Sequence, residues 1–154
     1  MTTPISTNTN VITNYSAEDI ERIINDFYSP TSQLSTEQRQ KLNTILENLQ
    51  YSKSAWDFPW KFLDISKSSS IQFFGTVALC NKISKHLLEL DDNQIRELFH
   101  QLIQRLILYI SINSKQIITK LTIVSSLIQT SLGNSDIDSD LHSIIRLNLL
   151  DLAL

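Results

Sequence analysis

The chain has 154 residues and a mass of 17.6 kDa, which corresponds to one domain of ordinary size. With only 2 Gly and 3 Pro, the sequence lacks the turns of an all-β fold and the glycine-rich phosphate loop of a doubly wound sheet. A net charge of −3, a hydrophobic content of 42% and a mean hydropathy of −0.07 exclude a basic nucleic-acid binder, a disordered chain and a membrane-embedded protein.

Residues 1–15 are polar, aperiodic and without the features of a signal peptide, so we expect a disordered tail followed by one domain over 16–154. Apolar residues then recur at spacings of three and four, which predicts amphipathic helices. The predicted helices are 17–28, 36–50, 55–65, 71–88, 92–110, 114–132 and 140–154.

Several polar residues mark the helix ends. Ser16 and Ser35 are expected N-caps, and Gln38 completes a capping box with Ser35. Asp91 and Asp92 are better explained as the acidic start of the fifth helix than as a catalytic pair. Gly75 lies on the apolar face of the fourth helix, where a close crossing with another helix is favoured over a hinge.

The helices are predicted to form antiparallel pairs. Helices one, three, five and seven begin near residues 17, 54, 92 and 139, at intervals of about 37, 38 and 47 residues, which is typical of HEAT or armadillo repeats. We therefore predict an all-α, right-handed alpha-alpha superhelix of about three and a half repeats. The last helix is apolar on nearly every side, which suggests a longer solenoid, an incomplete gene model or a self-association surface.

No catalytic or metal-binding set can be assembled from the sequence. His86, His100 and His142 are far apart, none is paired with Cys80 at helical spacing, and Cys80 is expected to be a small core or half-buried residue. An enzyme is therefore disfavoured, although turnover that depended on Cys80 would revive that hypothesis.

The remaining functional candidate is a surface. In a solenoid the second helix of each pair lines the concave side, and here those helices are 36–50, 71–88 and 114–132. Polar residues expected off their apolar stripes are Gln38, Lys41, Gln72, Lys82, Lys85, Lys115 and Lys120. The lysines would form a basic ridge for an acidic partner, or they would simply be solvated helix flanks.

Three segments of the sequence resemble a known family. They are AWDFPWKFL at 55–63, IQFFG at 71–75 with AL at 78–79 and KIS at 82–84, and KQIITKL at 115–121. Together they resemble the first repeats of the importin-beta superfamily of nuclear transport receptors (karyopherins), closest to its importin-thirteen and transportin branches. Trp56, Phe58, Trp60, Phe74 and Gly75 form the structural part of this motif.

The resemblance implies a receptor that shuttles between nucleus and cytoplasm. It implies binding of the GTPase Ran in its GTP form on the inner helices, with Gln72, Lys82, Lys85, Lys115 and Lys120 as candidate contacts. Cargo proteins and Phe-Gly nucleoporins are further expected partners, and no cofactor, metal, nucleic acid or membrane is expected. The alternatives are a helical scaffold that binds other proteins without Ran and a non-functional truncated product.

The sequence also departs from the family pattern. Pro59 stands where a small or polar helical residue is usual, and Lys120 replaces a frequent arginine, which keeps the charge but loses the planar guanidinium. The resemblance fades after Gly133.

Overall fold

The computed structural model describes residues 15–132. The expected tail and the expected helix over 140–154 lie outside this range, apart from Tyr15. Within it the chain forms six α-helices and no strand: α1 (Ala17–Tyr28), α2 (Thr36–Gln50), α3 (Phe58–Phe62), α4 (Ser69–His86), α5 (Asp92–Ser111) and α6 (Lys115–Leu132). Two short 3-10 turns, Lys53–Trp56 and Leu87–Glu89, precede α3 and follow α4.

The helices pack as consecutive pairs in two layers. α2, α4 and α6 form an inner row in which α4 contacts both of its neighbours, and the outer layer consists of α1, α3 and α5, each of which packs against a helix of that row. This arrangement confirms the predicted all-α helical-repeat solenoid. The hand of the superhelix and the number of repeats stay predictions.

The predicted caps at the helix starts are confirmed. The Ser16 hydroxyl accepts a hydrogen bond from the Asp19 N–H, and the Asp19 carboxylate accepts one from the Ser16 N–H in return. Ser35 forms the same reciprocal box with Gln38. Asp91 does so with Gln94 at the start of α5. Each box satisfies backbone donors that the first turn of a helix leaves unpaired.

The third predicted helix is wrong in its extent. Instead of one helix over 55–65, the chain makes a 3-10 turn that ends at Trp56 and then the single-turn helix α3. Pro59 occupies the first turn of α3, where its missing N–H costs nothing. Beyond Phe62 the Asp64 carboxylate accepts from the backbone N–H and the hydroxyl of Ser66, at 2.9 and 2.8 Å, which favours a turn over further helix.

Gly75 lies at a close crossing of α3 and α4, as the sequence predicted. A Cβ atom built on Gly75 would lie 2.7 Å from the Cβ of Phe62 and 3.3 Å from the carbonyl oxygen of Pro59. The absence of a side chain therefore lets α3 lie directly on the backbone of α4.

The buried side chains form two clusters, and α4 contributes to both. In the first cluster, Phe58 and Phe74 stack with ring centroids 6.2 Å apart, beside the fully buried Phe62. In the second cluster, α4 packs against residues of α5 and α6. Trp56 and Trp60 are only half-buried at the edge of the second cluster, and the Trp60 indole N–H donates to the carbonyl of Trp56.

Gly75→Ala tests the crossing. The added methyl group should lower the free energy of unfolding by about 1–3 kcal/mol, because Phe62 Cβ and the α3 backbone cannot yield without moving the whole turn. Urea unfolding of the full chain measures the effect. A gain in stability, as the higher helix propensity of Ala alone would give, would contradict the close crossing.

Candidate partner-binding surface

The two adjacent inner helices α4 and α6 contain no acidic residue. Their charged side chains are Lys82, Lys85, Lys115 and Lys120. The carboxylates of the described range lie on α1, α2 and α5 and in the connecting segments. A chain with an overall charge of −3 therefore has one pair of helices with positive charge only.

A groove of about 450 Å³ runs between α4 and α6. It is lined by Cys80 and Ser84 from α4 and by Lys120, Ile123, Val124, Ser126, Leu127 and Thr130 from α6. Ile123 is 59% exposed and Leu127 is 45% exposed, although both are large apolar residues. Ile123 lies about 200° around the helix from the buried Leu121, so it faces away from the core that α5 and α6 share.

Lys120 is held at this groove by contacts with α4. Its ammonium nitrogen lies 5.7 Å from the centre of the Phe73 ring, within the range of a cation–π contact. Its carbonyl oxygen lies 3.6 Å from the Sγ of Cys80, which donates to it. The positive charge therefore lies beside the apolar lining of the groove.

Cys80 is a structural residue of the groove floor. Burial raises the pKa of its thiol to about 11, although the nearby Lys120 opposes that rise. The thiol is therefore protonated at neutral pH, in which form it is a poor nucleophile. This agrees with the expectation that Cys80 is a small, partly buried packing residue.

Lys85 and Lys115 are exposed, as the sequence predicted for residues off the apolar stripes. Neither makes an ion pair with another residue of the 15–132 range. Their ammonium groups are available to a partner.

Lys82 does not lie on the free surface, and its predicted position is wrong. The side chain is 1% exposed, because Lys82 follows Gly75 by seven residues and so lies on the same side of α4, beneath the 3-10 turn before α3. Its ammonium group donates to the Tyr51 carbonyl at 3.2 Å and to His86 Nδ1 at 2.9 Å. It also lies 3.3 Å from the Glu89 carboxylate.

Trp56 completes the cluster of side chains around the buried Lys82 ammonium. The Lys82 ammonium lies 5.3 Å from the centre of the indole ring, and the indole N–H donates to the Glu89 carboxylate at 3.1 Å. That hydrogen bond and the contacts with Lys82 hold the pKa of Glu89 below its usual value. The cluster ties the end of α4 to the segment between α2 and α3.

Gln72 also has a structural contact. Its side-chain amide donates to the Lys67 carbonyl at 2.7 Å and more weakly to the Ile65 carbonyl at 3.4 Å. It therefore stabilises the loop between α3 and α4.

Sequence reasoning did not identify Ile123 and Leu127 as exposed residues of the groove. The lack of Asp and Glu over 69–86 and 115–132 could have pointed to this pair of helices, and Ile123 could have been found as an apolar residue outside the stripe of α6.

The chain is similar to the curated protein Importin-13. It is 29% identical to Importin-13 from Homo sapiens and from Bos taurus, and 28% identical to that from Mus musculus, over 110 residues in each case. The match covers 71% of this chain and 11% of each relative. No family model matches the sequence. These matches confirm the importin-beta family resemblance carried by the sequence motifs.

No helix in the described range is both long and apolar enough to cross a membrane.

Lys82→Ala and Lys85→Ala form a matched pair that tests the two positions. We expect Lys82→Ala to lower the free energy of unfolding by about 2–4 kcal/mol, since a buried stem and its hydrogen bonds are lost. Lys85→Ala should change it by no more than about 0.5 kcal/mol. Chemical denaturation measures both, and equal effects would contradict the difference in burial.

The Glu89 contacts predict a dependence of stability on pH. Because folding lowers the pKa of Glu89, its contribution is present above the usual pKa near 4.5 and is lost as the pH falls through the lower value in the folded state. The stability difference between the wild type and Glu89→Gln should therefore be largest at neutral pH and should narrow in acid. Urea midpoints at several pH values measure it, and a difference independent of pH would contradict the assignment.

Proposed function

We propose that this chain, as a protein of the importin-beta family, works in nucleocytoplasmic transport and that its α4–α6 surface contacts Ran in the GTP form. The relationship to Importin-13 supports the transport role. The absence of acidic residues from α4 and α6 is the observation that carries the proposed surface.

The charge pattern gives this surface its selectivity. A partner with acidic groups would be attracted to Lys85, Lys115 and Lys120 and would meet no carboxylate on these two helices. Because the overall charge is −3, the attraction depends on where the lysines lie rather than on the net charge.

The five candidate residues now have different proposed roles. Lys85, Lys115 and Lys120 are the proposed contacts with the partner. Gln72 and Lys82 are positioning residues. The Gln72 side chain is held by backbone carbonyls, and the buried Lys82 side chain is held by the Tyr51 carbonyl and the cluster with Trp56 and Glu89.

Cargo proteins and Phe-Gly nucleoporins are further proposed partners, and we propose that the protein shuttles between nucleus and cytoplasm. The chain is matched to 11% of the length of its relatives, so it would supply only part of each binding surface. A helical scaffold that binds acidic proteins without Ran is the second candidate, and the apolar lining of the α4–α6 groove favours it.

Binding to Ran in its two nucleotide states tests the proposal. The full chain should retain Ran loaded with a non-hydrolysable GTP analogue and should retain the GDP form much less. The double variant Lys85→Glu/Lys115→Glu should weaken the GTP-form interaction on the order of tenfold or more.

Lys53→Glu/Lys61→Glu is the matched control, because it makes the same change in net charge at exposed residues around α3. It should leave binding unchanged. Equal retention of both nucleotide forms, or none of either, would refute the Ran role of this chain. Binding of other proteins in that case would support the second candidate.

A further inference from the structure

We infer that the α4–α6 groove is a docking site for an acidic peptide segment that inserts one large apolar side chain. The inference deepens the proposed function, since it specifies the chemistry of a partner for the same surface. It rests on that function only for its biological setting, and its test is independent of Ran.

The shape and lining of the groove fit an inserted side chain. Its volume of about 450 Å³ lies within the range of about 300–1,000 Å³ that is typical of small-ligand sites. Ile123 and Leu127 offer apolar surface that no other residue of the described range covers fully, and Val124 provides a buried wall. Insertion of a Phe or Leu side chain would remove this surface from water.

The charge around the groove favours an acidic peptide segment. The apolar side chain that this segment inserts is its anchor. Lys120 lines the groove itself, and its contact with the Phe73 ring limits the movement of its ammonium group. Lys85 and Lys115 are exposed elsewhere on the same two helices. With no carboxylate on either helix, a peptide with Asp or Glu beside its apolar anchor is favoured and a basic one is repelled.

Burial of Cys80 makes the groove floor chemically inert. Its thiol is protonated at neutral pH and already donates to the Lys120 carbonyl. The groove therefore binds through apolar contact and charge, and not through a covalent bond.

Fluorescence anisotropy with short synthetic peptides tests the inference. The probe is a labelled peptide with Glu residues on both sides of a single Phe. Its two comparison peptides replace Phe with Ala or every Glu with Lys. We expect the first peptide to bind the full chain and each comparison peptide to bind at least about tenfold more weakly. Affinity should fall as salt is added.

Variants of the chain locate the site. Ile123→Asn and Leu127→Asn should each lower the affinity for the first peptide about tenfold. Both residues are exposed enough for the fold to survive the substitution. Ile107→Asn is the matched control, since Ile107 is 48% exposed on α5, outside the groove. Lys120→Met should lower the affinity for the acidic peptide and make that affinity less dependent on salt concentration.

The outcomes separate this inference from the Ran proposal. Peptide binding that is unaffected by the groove variants, or equal for the three peptides, would overturn the inference even if Ran binds. Specific peptide binding without retention of Ran would leave the inference standing and refute the proposed function. If light scattering finds a dimer that Ile123→Asn converts to a monomer, the occupant is a second copy of the chain and the inference is wrong.

Discussion

The structure depends on the contact between the single turn of α3 and the backbone of α4 at Gly75. Only a residue without a side chain allows Phe62 and the Pro59 carbonyl to lie so close to the helix axis. That approach brings Phe58 onto Phe74 and fixes α3 against the first cluster of buried side chains. It also determines which side of α4 is covered by the outer layer and which side stays free.

The orientation of α4 about its own axis determines which of its polar residues are buried and which are exposed. Lys82 lies beneath the outer layer, where the Glu89 carboxylate balances its charge and the Tyr51 carbonyl accepts a hydrogen bond from it. Ser84 and Cys80 fall on the groove side instead, beside Lys120 of the next inner helix. Two lysines three residues apart, Lys82 and Lys85, thus have unrelated roles, one in packing and one at the surface.

The sequence was sufficient for features that depend on local chemistry. Helix starts at Ser16, Ser35 and Asp91 follow from hydrogen bonds between near neighbours, and the Gly75 crossing follows from a glycine within an apolar stripe. It was insufficient where distant segments meet. The burial of Lys82 depends on Tyr51, which lies 31 residues away in sequence. The groove exists only because α4 packs against α6, so no single helical pattern contains it.

The participation of α4 in both buried clusters has a consequence for cooperativity. Ile71, Phe74 and Ala78 belong to the first cluster, whereas Leu79 and Ile83 belong to the second. Unfolding of α4 would expose apolar surface of both buried clusters at once, whereas fraying of α1 or α6 would expose apolar surface of only one cluster. Repeats that share such a helix melt as a single unit, and the slowest amide hydrogen exchange is then expected in the middle of α4 rather than at either end of the stack.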